Sequence, residues 1–288
     1  MDNNIYFYNE KIKINDLSEI YKTRLQEATF YKINFELKNV KEEFYSLIFL
    51  AYLSDISAIG IKFDLDLINT FKKYIKSAYI KSRQFNSLII EKMLLFVSLQ
   101  SSEFSGTEIS KLVSRLNILN EQNIDVLELH IDNFSIDCIE KQLYIIHTNF
   151  HKKIISLNVS RKKLSNANIV EIIKLASSIM KDQFFVEVDG VSNKVKNSFN
   201  NTLQSISTAD IINKELKFNN PRFNKFPLLI SGGTNSLTKS LANQCNVPFN
   251  GITINETYLS NLKNHMNIIE DKEEILFEAI SSLKNIFK

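Results

Sequence analysis

The chain has 288 residues, which is enough for one α/β barrel of about 250 residues or for two smaller domains. Hydrophobic residues make up 44% and charged residues 23% of it, a balance that is typical of a folded globular protein and excludes a disordered one. The 35 basic and 32 acidic residues are interspersed and leave a net charge of only +3, so charge gives no support to nucleic-acid binding.

Cysteine usage and hydropathy indicate the compartment. Cys138 and Cys245 are far apart in the chain, which excludes a disulfide framework and a cysteine-based metal site and indicates a reducing environment. The longest apolar run, residues 47–53, is far shorter than the roughly 20 residues that span a bilayer. The N-terminus is polar and lacks a signal-like core. We therefore expect a soluble protein without a membrane span in a reducing compartment such as the cytoplasm. The abundance of Asn, Ile and Lys is typical of an AT-rich genome, such as that of an organelle or endosymbiont.

In chain order, a helical pattern at residues 16–28 is followed by short β-branched or aromatic runs that alternate with longer amphipathic ones. This alternation predicts βα units around parallel strands. The predicted strands are 30–37, 57–63, 93–99, 125–130, 154–160, 184–189, 227–231 and 251–255. The predicted helices start near Val40, Leu65, Thr107, Ser135, Asn166, Lys194 and Ser236, with a last one from about Asp271.

Eight strands with following helices predict a single (β/α)8 domain of the TIM-barrel type over residues 29–288, preceded by an N-terminal helical extension over residues 1–28. An open, doubly wound sheet is the alternative. No linker rich in Pro, Gly or Ser divides the chain.

Polar residues fall on one parity of strand after strand, which predicts that they share the inner face of the barrel. A charged residue deep in a barrel is costly unless it is paired, whereas one at a carboxyl strand end is not. The residues at or near carboxyl strand ends are Glu36, Lys62, His130, Asn158 and Asp189. Two interpretations stay open for these five, a self-satisfying ion-pair network and a ligand site. The whole inward-facing set consists of Lys32, Asn34, Glu36, Gly60, Lys62, Ser98, Glu128, His130, Ser156, Asn158, Glu187, Asp189, Ser231, Thr253 and Asn255.

The glycines of strands seven and eight predict a phosphate or anion site. Strand seven ends in a Ser-Gly-Gly-Thr-Asn segment that leads into a helix, and glycine there allows a tight turn with backbone N–H groups facing an anion. In barrels the loops after strands seven and eight are the common phosphate site. The alternative is that the two glycines only permit the turn. The predicted anion-binding residues are Ser231, Gly232, Gly233, Thr234, Asn235, Gly251 and Asn255.

Three titratable residues are the candidates for acid–base catalysis. Glu128 and His130 lie two residues apart on one face of a strand, so they could transfer a proton as a pair. Asp189 precedes Gly190 at the end of strand six, where it is a general base or part of a structural Asp-Gly turn. No Walker, nucleophile-elbow or dinucleotide-binding motif is present, and we expect no metal ion.

The segments around these residues resemble the cyanobacterial light-dependent-period (LdpA) family, which supplies redox input to the circadian clock. The similar segments are 231–235, 248–252, 128–130 and 188–190, with weaker similarity over residues 30–262. The resemblance implies a barrel domain that carries a ferredoxin-like module with [4Fe-4S] clusters. Because each such cluster needs about four thiolates and the chain has two cysteines, we expect none of these clusters and no other cofactor.

The sequence leaves two functions open. The first, which the resemblance suggests, is a relative of the LdpA family that lacks the iron–sulfur module and is located in a plastid stroma. It would be a regulatory or interaction protein with a protein partner and an anion-binding edge but without catalysis. The second is an enzyme that acts on a phosphorylated small molecule, with Asp189, Glu128 or His130 as acid or base and the loop at Gly232 holding phosphate. The cysteine count argues against a third, electron transfer.

Overall fold

The fold was analysed in a computed structural model of the chain. It describes residues 14, 16–35, 43–85, 91–151, 154–181, 183–192, 198–219, 226–234 and 237–255. Three predicted site residues are affected by these bounds. Glu36 and Asn235 lie outside the described residues, and only the backbone of Asn255 is described.

The strands form a closed, parallel barrel in chain order, with β8 paired to β1, which confirms the predicted (β/α)8 fold and not the open sheet. Every described strand end lies within one residue of its prediction, except that residues 36 and 37, predicted in the first strand, are outside the described residues. The strands are β1 Phe30–Phe35, β2 Ala58–Lys62, β3 Leu94–Gln100, β4 Val126–Ile131, β5 Ile155–Ser160, β6 Phe184–Asp189, β7 Leu228–Ser231 and β8 Gly251–Asn255.

Helices alternate with the strands. Those predicted to start at Leu65 and Asn166 do so, and the segment predicted from Thr107 begins with a short 3-10 turn. The predicted starts near Val40, Lys194 and Ser236 and the helix from Asp271 lie outside the described residues. The helices are α1 Glu19–Gln26, α2 Glu43–Leu53, α3 Leu65–Phe85, α4 Ile109–Glu121, α5 Ile136–Asn149, α6 Asn166–Met180, α7 Ser198–Asn219 and α8 Thr238–Gln244, with 3-10 turns at Ser101–Phe104 and Gly106–Glu108.

Local sequence explains where these helices start and which face they bury. Ser165 caps α6 because its hydroxyl accepts a bond from the Asn168 N–H while the Asn168 side chain accepts one from the Ser165 N–H. The apolar residues of α4 recur at the spacing of one helix face, and Leu112, Leu116 and Leu119 are all fully buried against the outside of the barrel. The core between strands and helices is therefore apolar. This agrees with the sequence, in which the polar residues of each strand alternate with apolar residues that face the helices.

An apolar floor closes the amino end of the barrel. Helix α1 and the residues just before it pack against inward-facing side chains from the first half of the strands, and Tyr21 meets Phe30 edge to face with ring centroids 6.1 Å apart. Among the described residues, apolar side chains therefore line the amino half of the barrel interior. The floor consists of Ile14, Leu17, Tyr21, Leu25, Phe30, Ala58, Phe96, Val126, Ile154, Phe185 and Leu229.

Within the described ranges, no helix combines the length and the apolar character that crossing a membrane requires.

Candidate active site

A lysine on β1 is the centre of the barrel interior. The Lys32 ammonium lies 2.7 Å from Glu187 Oε2 and also bonds Glu128 Oε2, and the exposed fraction of each side chain is 2% or less. It also lies 4.7 Å from the centre of the Phe96 ring, directly above the floor. These three charges sit in the middle of their strands and satisfy each other, which a buried charge must do.

Glu128 connects this buried centre to the carboxyl mouth of the barrel. Its second oxygen, Oε1, lies 2.7 Å from His130 Nε2, and the His130 side chain is 29% exposed. The two candidates that the sequence predicts as a pair are therefore in contact. A continuous hydrogen-bonded path runs from the part-exposed imidazole through Glu128 to Lys32 and Glu187.

Glu187 is surrounded by donors. Besides Lys32, the amide nitrogen of Asn158 donates to Glu187 Oε1 over 3.0 Å and that of Asn34 over 3.4 Å. Asn34 in turn lies against Gly60, where an added Cβ would be 2.1 Å from Asn34 Oδ1 and 2.8 Å from Lys32 Cε. Glycine at position 60 therefore leaves the room through which the Lys32 side chain extends.

Burial and charge act in opposite directions on the acidities of this network. Burial alone would raise the pKa of Glu128, but the Lys32 ammonium and the His130 hydrogen bond lower it to about 2. Burial, helped by the Glu128 charge, raises the pKa of Glu187 in spite of Lys32. Burial would lower the pKa of Lys32, yet the two carboxylates hold it above its ordinary value. Lys32 is thus an ammonium ion and Glu128 a carboxylate at neutral pH.

Asp189 belongs to a second cluster, at the glycine loop. Its carboxylate lies 3.3 Å from Lys162 Nζ and from the Ser160 hydroxyl, and Oδ1 accepts the Val191 N–H over 3.2 Å. The last bond is the local turn that an Asp-Gly sequence favours. A Cβ at Gly232 would come within 1.9 Å of Asp189 Oδ1, so this carboxylate packs directly on the loop.

The loop after β7 requires its glycines. Gly232 and Gly233 both have left-handed backbone angles, with φ of +73° and +62°. The carbonyl of Gly232 accepts the Ser205 hydroxyl, and that of Gly233 accepts the Thr202 hydroxyl over 2.6 Å, both from α7. In a trans peptide the N–H points opposite to the C=O. The N–H groups of Gly233 and Thr234 therefore point away from α7.

The other predicted anion-site residues divide between the two ends of the barrel. Ser231 and Thr234 belong to the loop end, where the Thr234 hydroxyl donates to the Thr253 carbonyl over 2.7 Å. Gly251 is at the amino end of β8, paired with Phe30 of the floor. Its Cβ would lie 2.2 Å from the Phe30 carbonyl oxygen, which explains the glycine there by packing. An anion-binding role for Gly251 does not fit this position.

The sequence places Asn158 among the strand-end residues of a possible ligand site, but it gives Lys32, Asn34 and Glu187 only an inward-facing position. Their inward parity is visible in the sequence, but nothing in it shows that β1 reaches across to β4 and β6. Closure of the barrel decides that contact.

Among the described residues, no group of three or more His, Cys, Asp or Glu side chains could hold a metal ion. A cavity of about 550 Å³ opens beside α1 at the amino end, lined by Leu17, Tyr21, Met93, Asp125 and His151 among others. None of the predicted site residues lines it.

Comparison with known proteins identifies the architecture. No protein-family model and no curated protein matches the chain. Solved structures do. The TM-score is 0.54 for a protein named as a deoxyribose-phosphate aldolase of Toxoplasma gondii ME49, at 11% identity over 88% of this chain and 96% of that one. It is 0.53 for the tryptophan synthase α subunit of Legionella pneumophila Paris, at 8% identity over 94% and 98%. It is 0.52 for the YdjI aldolase of Escherichia coli K12, at 12% identity over 94% of each chain. At these identities the likeness establishes the (β/α)8 barrel fold.

Proposed function

We propose that the protein is an enzyme that acts on a phosphorylated small molecule, with His130 and Glu128 as its proton-transferring pair. The observation that carries the proposal is the hydrogen-bonded path from the part-exposed His130 to the buried Lys32. It places a titratable ring at the carboxyl mouth, where barrel enzymes bind their substrates. An imidazole oriented by a carboxylate is a common arrangement in acid–base catalysis.

The glycine loop is the proposed phosphate holder. Two backbone N–H groups on the side of the loop away from α7 are suitable donors for a phosphate oxygen. Lys162, which pairs with Asp189 beside the loop, adds a positive charge. The name of one structural neighbour refers to a sugar phosphate, which guides our choice of phosphorylated carbonyl compounds as probes.

Lys32 is not the nucleophile in this proposal. A lysine that attacks a carbonyl must be a neutral, accessible amine. Lys32 is an ammonium ion held between two carboxylates and has no exposed surface. Its role here is to hold Glu128 in place and ionised.

The first test is turnover of a carbon acid. The protein is incubated in D₂O with dihydroxyacetone phosphate, ribulose 5-phosphate or fructose 6-phosphate. The ¹H NMR signal of the proton on the carbon next to the carbonyl should disappear as deuterium replaces it. His130→Gln keeps an amide donor for Glu128 but has no base, so it should slow the exchange by about 10²–10⁴-fold. His147→Gln, on α5, is the matched control and should leave the rate unchanged. Exchange at wild-type rate in His130→Gln would refute the proposal.

The second test introduces a charge at the loop. Thr234→Asp should abolish the rise in melting temperature that a phosphorylated ligand gives. The added carboxylate, unlike that of Asp189, has no Lys162 to pair with and repels the phosphate. Thr234→Asn removes the same hydroxyl bond to the Thr253 carbonyl without adding charge, and it should keep most of the rise. Equal behaviour of the two variants would show that the loop does not bind phosphate.

A second candidate is the non-catalytic regulatory barrel that the resemblance to the LdpA family suggests, in a plastid and with circadian or redox input. The completeness of the ion pairs favours it: Lys32, Glu128 and Glu187 satisfy one another, and Asp189 is paired with Lys162. Phosphate binding without proton exchange on any of the three carbonyl phosphates would support this candidate over the enzyme.

A further inference from the structure

The mouth of the barrel offers two hydrogen-bond acceptors side by side, on His130 and Asn158. We infer that the substrate places hydroxyl groups on them, so that it is a polyol or sugar phosphate and not a phosphorylated acid or a simple alkyl phosphate. This inference rests on the proposed function and specifies its substrate class.

The His130 acceptor follows from its partner. Glu128 Oε2 is occupied by Lys32, and Oε1 lies 2.7 Å from His130 Nε2. A carboxylate only accepts hydrogen bonds, so the ring hydrogen of the neutral imidazole is on Nε2. The lone pair is then on Nδ1, the ring nitrogen that does not contact Glu128.

The Asn158 acceptor follows by the same reasoning. Its NH₂ group donates to Glu187 Oε1 over 3.0 Å, while Glu187 Oε2 receives the Lys32 ammonium. The carbonyl oxygen of the Asn158 amide is therefore on the side away from Glu187. Asn158 is the register partner of His130 on the neighbouring strand. Neighbouring strands are about 5 Å apart, a spacing that the hydroxyl groups of one small molecule can bridge.

The charges at the mouth agree with this assignment. The Asp189 carboxylate lies at the other end of the site, beside the glycine loop, where it is paired with Lys162. A substrate carboxylate placed at His130 and Asn158 would meet two acceptors and lose its hydrogen bonds, which is costly. Hydroxyl groups would find partners, and the phosphate would take the N–H groups of the loop. Donors and acceptors of the site are thus divided between the two ends of the proposed ligand.

The test is a matched pair of ligands on the full chain. Glycerol 3-phosphate and n-propyl phosphate have the same number of carbons and differ by two hydroxyl groups. Two hydrogen bonds of about 0.5–1.5 kcal/mol each predict about 5- to 150-fold tighter binding of glycerol 3-phosphate by calorimetry. Equal affinities would overturn the inference and leave phosphate binding intact. Binding of neither ligand, nor of inorganic phosphate, would overturn the proposed function as well.

Two variants assign the preference to Asn158. Asn158→Val removes one of the two acceptors and should reduce the preference for glycerol 3-phosphate by about 2- to 12-fold, the contribution of one hydrogen bond. Asn34→Val is the matched control, because Asn34 donates to the same Glu187 oxygen but its own carbonyl oxygen is buried against Gly60. It should keep the preference. The reverse pattern would overturn the inference.

The protonation of the two His130 ring nitrogens can be measured by NMR in the absence of any ligand. In ¹⁵N-histidine-labelled protein at pH 8, the His130 signals, identified by their absence in His130→Gln, should show a protonated Nε2 and an unprotonated Nδ1. A proton on Nδ1 would overturn the assignment.

Discussion

Lys32→Met should lower the free energy of unfolding by about 3–5 kcal/mol, the cost of leaving buried charges without their partner. The substitution fits the space of the lysine chain but leaves Glu128 and Glu187 facing each other in the barrel interior, each at most 2% exposed. Denaturant unfolding followed by circular dichroism measures the loss. We expect it to be among the largest that a single polar substitution produces in this chain.

Two controls separate the buried charge from simple side-chain loss. In the triple variant with Lys32→Met, Glu128→Gln and Glu187→Gln, no charge is left unpaired, and most of the stability should return. Lys162→Met breaks an ion pair in which Lys162 is 38% exposed, and it should cost less than about 1 kcal/mol. If Lys32→Met cost no more than Lys162→Met, the interior network would not stabilise the barrel.

Acidification should destabilise the wild type more than a Glu128→Gln variant. Glu128 has its pKa lowered to about 2 in the folded state, below its ordinary value of 4.5. The stability it contributes is therefore complete above about pH 5 and is lost as the pH falls from there toward 2. Glu187, whose pKa is raised, acts in the opposite sense, since it takes up a proton more readily when folded.

The comparison of melting temperatures at pH 6 and pH 3 for both proteins isolates Glu128. The glutamine cannot titrate, so the gap between wild type and variant should be wide at pH 6 and narrow at pH 3. A gap that stays constant would mean that Glu128 has an ordinary pKa. Glu187→Gln is the matched control, and for it the gap should not narrow on acidification.

The sequence predicts the barrel well because each strand is a short buried run between turn or helix signals, as at Phe184–Asp189. The parity of polar residues also places Lys32 and Glu187 inside. The sequence does not show which side chains pair across the barrel. Lys32 and Glu187 are 155 residues apart in the chain, and closure of the barrel brings them together. The same holds for Gly251, which the sequence places among the anion-binding residues: pairing of β8 with β1 puts it beside Phe30, at the amino end of the barrel.

Among the described residues, the apolar floor separates the charged network from the amino end of the barrel. The part-exposed His130 side chain, through Glu128, links Lys32 to the carboxyl mouth. A ligand that covers His130 should therefore slow the exchange of Lys32 ammonium hydrogens with bulk water, although it would not contact Lys32 itself.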